Sequence, residues 1–168
     1  ALNNSPVPMH LQLGSEGLGA GNDPEIARLA AEESVDDLRR LLNDGTKMVF
    51  ITAGMGGGTG TGAAPVIARV CKEMGILTVA VVTIPFCFEG DRKIDQALDG
   101  VEKMSKNVDA LLVINNERLR VIYPTLSLTD AFAKADDTLS VAARSIAEII
   151  TDSGIINVDF RDVNSVLK

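Results

Sequence analysis

The stretch 54-GMGGGTGTGAAP-65 places glycine at positions 54, 56, 57, 58, 60 and 62, with Thr59 and Thr61 between them and apolar runs on both sides. Glycine loses more backbone freedom on folding than any other residue, so a cluster needs a use that other residues cannot serve. A strand-to-helix turn without Cβ atoms lets main-chain amides close around an anion. The N-terminus of the following helix adds about half a positive charge. Phosphate suits that chemistry, with the hydroxyls of Thr59 and Thr61 as further donors. The plainer alternative is a tight turn with close strand–helix packing, for which one or two glycines suffice.

The phosphate carrier is narrowed by what the loop lacks. A P-loop of the form G-x-x-x-x-G-K-[ST] needs a lysine, and none lies here. Gly58, Gly60 and Ala63 fit the dinucleotide pattern G-x-G-x-x-A, a weak match. That pattern expects a ribose-binding acid at the end of the next strand. Here that strand ends in Thr83, Ile84 and Pro85, which disfavours an NAD-dependent oxidoreductase.

The elements that must hold the loop follow from periodicity. Residues 1–14 read as a loop with a short strand at His10–Leu13. Asp23 suits an N-cap and Pro24 a first helical position. A helix is expected from there to about Asn43, with Ile26, Leu29, Ala30, Leu38, Leu41 and Leu42 as its apolar stripe. The apolar runs 47–53, 76–83 and 108–114 read as buried strands. Helices are expected after the glycine loop, to Met74, and after 84-IPFCFEG-90. The segment 115-NNER-118 reads as a loop. A long helix over 129–153 would span roughly 37 Å. Alternating strands and helices predict an α/β fold, a Rossmann-like, mostly parallel sheet with flanking helices. Ligands in such sheets bind outside the carboxyl ends of the strands, where three loops here converge.

Composition sets outer bounds. The 168 residues suffice for one domain with a core, and the formal charge of −7 argues against a general nucleic-acid partner. No apolar run approaches the ~20 residues of a membrane span, and no signal peptide is visible. Cys71 and Cys87 lack metal-ligand spacing, and no metal-ligating protein cluster is expected. A cytoplasmic protein is the simplest expectation. His10 reads as structural or solvated, Cys71 as packed, and Glu32, Glu33, Asp36 and Asp37 as a solvated face.

Taken with the apolar strand before it, 56-GGGTGTG-62 resembles the signature of the tubulin/FtsZ GTPase family. The segments 85-PFCFEG-90, 132-FAKADDTL-139 and 154-GIINVDFRD-162 extend the likeness over the whole chain, in order. The resemblance implies GTP or GDP with Mg²⁺ as ligand. It puts the phosphates on Gly56, Gly57, Gly58, Thr59, Gly60, Thr61 and Gly62, and the γ-phosphate-sensing loop on Gly19, Ala20, Gly21 and Asn22. Glu89 resembles the ribose contact. Lys93 stands where the family commonly has arginine. Asn116 resembles the asparagine beside guanine, Phe132 the ring stacked on it, and Asp136 the carboxylate reading its N1 and N2 donors. Phe132 and Asp136 are four apart and share a helix face. Read without the family, Phe132 as plain core and Asp136 as a solvated charge is the simpler account.

Asn157, Asp159 and Asp162 resemble the family's catalytic loop, which enters the pocket of the next subunit and positions the attacking water. Without the family, either aspartate would read as a helix N-cap. The implied function is a filament-forming GTPase that assembles head to tail with copies of itself, without inserting into the membrane. Its implied place is the division ring at the inner face of the cell membrane, with membrane tethers and assembly regulators as partners. A non-hydrolysing structural paralogue is disfavoured by the pair of acids. On this resemblance residues 1–153 form part of a GTP-binding domain, and 154–168 the catalytic loop and the start of a helix. The family's first strand, its first glycine turn and its C-terminal domain are missing. The chain is therefore expected to be a piece of a longer protein, and alone not a stable, active GTPase.

Overall fold

The computed structural model describes residues 5–17 and 19–151. In chain order these are α1 (Pro24–Glu33), α2 (Val35–Leu42), β1 (Met48–Gly54), α3 (Gly58–Glu73), β2 (Leu77–Ile84), a 3-10 turn (Cys87–Glu89), α4 (Asp91–Ser105), β3 (Ala110–Asn115), α5 (Asn116–Ile122) and α6 (Leu128–Thr151). The three strands are parallel in the order β1-β2-β3.

β2 is central, and Leu77 to Thr83 are all buried. A parallel strand covered on both faces needs this continuous run of apolar and β-branched residues. One face of the sheet, with Ile51, Ala80 and Val82, packs on Ala64 and Ala68 of α3 and Ala97 and Met104 of α4. On the other, α6 lies against β1 and β2. Val79, Val81 and Val82 are at most 2% exposed, and each such burial contributes about 1.5–3 kcal/mol.

The expected first helix is two. It breaks at Ser34, whose hydroxyl donates to the Ala30 carbonyl at 3.1 Å and accepts from the Gly14 amide at 2.9 Å. A buried serine that back-bonds to its own helix and receives a loop amide bends the chain there. The expected stripe is corrected in α1, while Leu38 of α2 is buried as expected. Ile26 and Leu29 are half-exposed, while Ala27 and Ala31 are buried against Ala63 and Val66. The reason is close approach: a Cβ on Gly62 would lie 1.9 Å from the Pro24 carbonyl oxygen. Helices α1 and α3 thus meet through glycine and alanine, and larger side chains are turned outward.

Residues 10–13 form no strand. A strand needs a partner for its amides and carbonyls, and no described strand lies beside them. Of the segment 115–118, expected as a loop, Asn115 ends β3 and 116–118 open α5. Asn115 caps it by accepting from the Glu117 amide at 3.0 Å. The long helix is present and begins at Leu128.

Gly62→Ala should destabilise the full-length protein by about 3 kcal/mol or more, because backbone faces backbone there. Gly75→Ala, at φ 73° but with open space around it, should cost only about 1–2 kcal/mol. Urea unfolding of both variants checks the order. Equal losses would contradict the close-approach account.

Candidate functional site

β1, β2 and β3 end together. Gly54 is in register with Thr83, and Ile84 with Asn115. Beyond those ends lie the glycine loop, the segment 85–90 and the start of α5.

The glycine loop is shaped by its own threonine. Gly56, at φ 98°, donates its amide to Thr61 Oγ1 at 2.9 Å inside the structure. Thr61 is 1% exposed, so its hydroxyl faces the loop backbone and does not point outward as a ligand donor. Thr59 is exposed. No side chain caps α3 at Gly57, leaving first-turn amides of a sixteen-residue helix without the usual partner. A Cβ on Gly60 would fall 2.0 Å from the Gly54 carbonyl oxygen, and one on Gly56 would fall 2.8 Å from that of Lys93.

The loop 19–23 leans on this turn. A Cβ on Gly58 would lie 2.8 Å from Ala20 Cβ and 3.0 Å from the Asp23 amide nitrogen. Gly19 and Gly21 have open space around them. Asn22, at φ 66°, is the one non-glycine residue in the left-handed region among the described residues. Asparagine tolerates that conformation better than most. Its Oδ1 would be 3.6 Å from a Cβ on Gly57. Both loops therefore bring their main chains to one spot at the N-terminus of α3.

Glu89 is held by its own turn. One carboxylate oxygen accepts from the Phe86 amide at 3.0 Å and the other from Lys93 Nζ at 3.2 Å. Lys93 thus pairs with Glu89 one helical turn away.

Asn116, the first residue of α5, is 6% exposed, and its Oδ1 is buried with no hydrogen-bond partner among the described residues. An unmet buried acceptor costs about 1–3 kcal/mol. A donor from a ligand or a water molecule would relieve it.

Phe132 lies edge-on to Phe86 and Phe88, at 5.5 and 5.8 Å between ring centres, while Phe86 and Phe88 stack at 4.9 Å. Phe86 is fully buried with Leu119, Ala131 and Ala135. Phe132 is 40% exposed, so it is not plain core. Asp136, one turn on, is exposed and makes no ion pair among the described residues, whereas the nearby Lys134 pairs with Asp137 at 3.4 Å. Asn157, Asp159 and Asp162 lie outside the described residues.

Sequence reasoning missed Phe88, Glu117 and Arg120. The Arg120 guanidinium sits 5.8 Å above the Phe88 ring. Glu117 accepts from the Cys87 amide at 3.0 Å and from Arg120 at 3.2 Å. The signal that could have found Glu117 is the pair Asn115 and Glu117, an N-cap followed by a first-turn acid. The amide of Cys87 holds the Glu117 carboxyl below its ordinary range, with Arg120 adding to this. Partial desolvation, then the adjacent Glu117 carboxylate, push the Cys87 thiol up.

These groups suit a ligand with phosphates and a flat base. A cradle that a Cβ would fill, at Gly58 and Gly60, stands beside uncapped helix amides. An orphaned buried carbonyl oxygen waits on Asn116, and a half-exposed ring beside an unpaired carboxylate suits a flat base with N–H donors. No group of three or more His, Cys, Asp or Glu among the described residues could hold a metal ion. Mg²⁺ commonly relies on substrate phosphates and water for most of its ligands, which agrees with that. No helix among the described residues is long and apolar enough to cross a membrane.

A glycine loop opening a long helix at the carboxyl edge of a parallel sheet is the form of an α/β domain that holds a phosphate-bearing ligand. Residues 1–124 match the profile of the Tubulin/FtsZ family, GTPase domain. The cell division protein FtsZ of Porphyromonas gingivalis is 65% identical over 172 aligned positions, covering 100% of this chain and 38% of that protein. FtsZ of Aquifex aeolicus is 50% identical, over 99% of this chain and 46% of its own length. Among solved structures, a mutant FtsZ from M. jannaschii matches with TM-score 0.91 and 44% identity, over 99% of this chain and 51% of that one. An empty FtsZ dimer from the same organism matches with TM-score 0.85 and 48% identity, over 90% and 44%. The chain belongs to the tubulin/FtsZ family, and spans less than half the length of these curated relatives. The dinucleotide alternative falls with this, since β2 ends at Ile84 without a carboxylate.

At pH 7.5 Cys87 of the full-length protein should react with iodoacetamide more slowly than a free small thiol, because its raised pKa leaves little thiolate. Reaction as fast as the free thiol would contradict the environment described.

Proposed function

We propose that the protein containing this chain binds GTP at the carboxyl edge of the sheet, assembles head to tail with copies of itself, and hydrolyses GTP where subunits meet. The observation that carries this reading is the uncapped α3 N-terminus, with glycine loop and 19–23 loop pressed against it, in a chain of the tubulin/FtsZ family.

The residues divide by task. The amides of Gly57 to Gly60, with Thr59 Oγ1, would hold the phosphates, and Mg²⁺ bound there would offset their charge. Gly56, Thr61 and Gly62 would shape that cradle from inside. Gly19, Ala20, Gly21 and Asn22 would close over the terminal phosphate. Glu89 would turn to the ribose hydroxyls, with Lys93 neutralising it. Asn116 Oδ1 would accept from the base, Phe132 would stack on it, and Asp136 would accept from its N1 and N2 donors. Asn157, Asp159 and Asp162, brought by the neighbouring subunit, would orient and polarise the attacking water. Neither surface alone would have both nucleotide and acids, so hydrolysis would follow assembly. The relatives' printed name, cell division protein, supports a place in the division ring at the inner face of the cell membrane, with membrane tethers and assembly regulators as partners. The charge of −7 supports exclusion of nucleic acid as a general partner.

Asp162→Ala in the full-length protein should leave GTP affinity unchanged and lower turnover at least about a hundredfold, the usual contribution of a group that activates water. Unchanged turnover would remove the assignment. Asp136→Asn should weaken binding of GTP more than that of ITP, which lacks the N2 donor. Equal weakening in a calorimetric titration would remove Asp136 from the base.

A further inference from the structure

The groups assigned to the nucleoside stand on three separate elements: Glu89 on the 3-10 turn, Asn116 on α5, and Phe132 and Asp136 on α6. Their spacing depends on what ties those elements together. Among the described residues, the hydrogen bond between the turn and α5 is made by one carboxylate. Glu117 is anchored in its helix by the Asn115 cap at its amide, at 3.0 Å. Its Oε2 accepts from the Cys87 amide, thirty residues away in sequence, at 3.0 Å. Its Oε1 accepts from Arg120 at 3.2 Å. That guanidinium then lies over Phe88, whose ring meets the edge of Phe132. An exposed ion pair three residues apart in one helix contributes little by itself. The bond to Cys87 is different: it fixes α5 against the turn, with a charged acceptor on a main-chain donor.

We propose that Glu117 is a positioning residue for the nucleoside end of the site: by holding the Cys87 amide it sets the distance between Asn116 and Glu89, without touching the nucleotide. The inference rests on the GTP-binding reading above. Its consequence is specific. Losing the tie loosens base and ribose contacts, while the phosphate cradle at α3, built from other segments, stays intact. Affinity falls and the chemical step does not.

The test uses the full-length protein and calorimetric titration with GDP, together with steady-state GTP hydrolysis. Glu117→Ala removes the acceptor. Cys87→Pro removes the donor from the other side; Phe86 at φ −66° and ψ 151° suits a residue before proline, so this variant is expected to fold even if the first does not. Each should weaken GDP binding about five- to tenfold, the size of one charge-assisted hydrogen bond. KM for GTP should rise by a similar factor, with kcat at saturation within about twofold. Glu117→Gln keeps an oxygen for the Cys87 amide and should recover most of the affinity. Wild-type affinity in both Glu117→Ala and Cys87→Pro would overturn the inference. So would a fall in kcat with unchanged affinity, or a Glu117→Gln variant as weak as Glu117→Ala. Failure of the wild-type protein to bind GDP would instead overturn the GTP-binding reading on which the inference stands.

Discussion

Everything at the carboxyl edge of this sheet depends on the backbone of residues 54–62 lying against other segments with no side chain between. Gly60 sits under the Gly54 carbonyl, Gly62 against the Pro24 carbonyl, Gly56 against Lys93, and Gly58 against Ala20 and Asp23. A Cβ at any of these positions would push apart two elements that have to meet. Only glycine permits the approach, and the approach leaves the α3 amides uncapped and open. The same atoms that let the domain pack therefore leave a corner suited to an anion. The entropic cost of so much glycine is offset by packing as much as by ligand.

The site is built in two parts. On the proposed function, main-chain groups of the glycine loop and of residues 19–23 would serve the phosphate end, where rigid dipoles can stabilise an anion although the chain's formal charge is −7. Side chains would serve the nucleoside end, and they come from elements spread across the chain. Glu89, Glu117 and Lys93 are already engaged with one another's turns and helices. Asn116 Oδ1 and Asp136 lack partners among the described residues. Glu117, with both oxygens engaged inside the protein, is suited to fix geometry, whereas Glu89 would exchange part of its pairing for a ribose hydroxyl. Groups without partners are suited to read a ligand.

Much of this was legible from residue order. The positions of the strands were, because 47–53, 76–83 and 108–114 are short apolar runs bounded by glycine or polar residues; the expected burial holds for β2 but not for β3, where Leu112 and Val113 are exposed. Also legible were the common carboxyl edge of the three strands and the long helix. The first helix was misread because the stripe was sought among large side chains. The contact with α3 is instead made by Ala27 and Ala31, at a distance set by Gly62, and no pattern in the helix itself reports that. The break at Ser34 depends on a bond from Gly14, twenty residues away. α5 was missed although Asn115 and Glu117 carried an N-terminal signal, since seven residues give too little periodicity to weigh against a loop. Thr61 had the right type for a ligand donor, and only its burial shows that its hydroxyl faces Gly56. Asn157, Asp159 and Asp162 are assigned by resemblance alone and lie outside the described residues.

The most direct measurement is backbone hydrogen exchange on the full-length protein, with and without saturating GDP, read by mass spectrometry over peptides covering 17–23, 55–62 and 108–122. The account predicts that GDP slows exchange most in 55–62, where the uncapped amides of α3 gain an acceptor, with smaller slowing at 17–23 and around Asn116. If GDP bound tightly and exchange in 55–62 did not change, the glycine loop would be a packing device alone, and the phosphates would be held elsewhere.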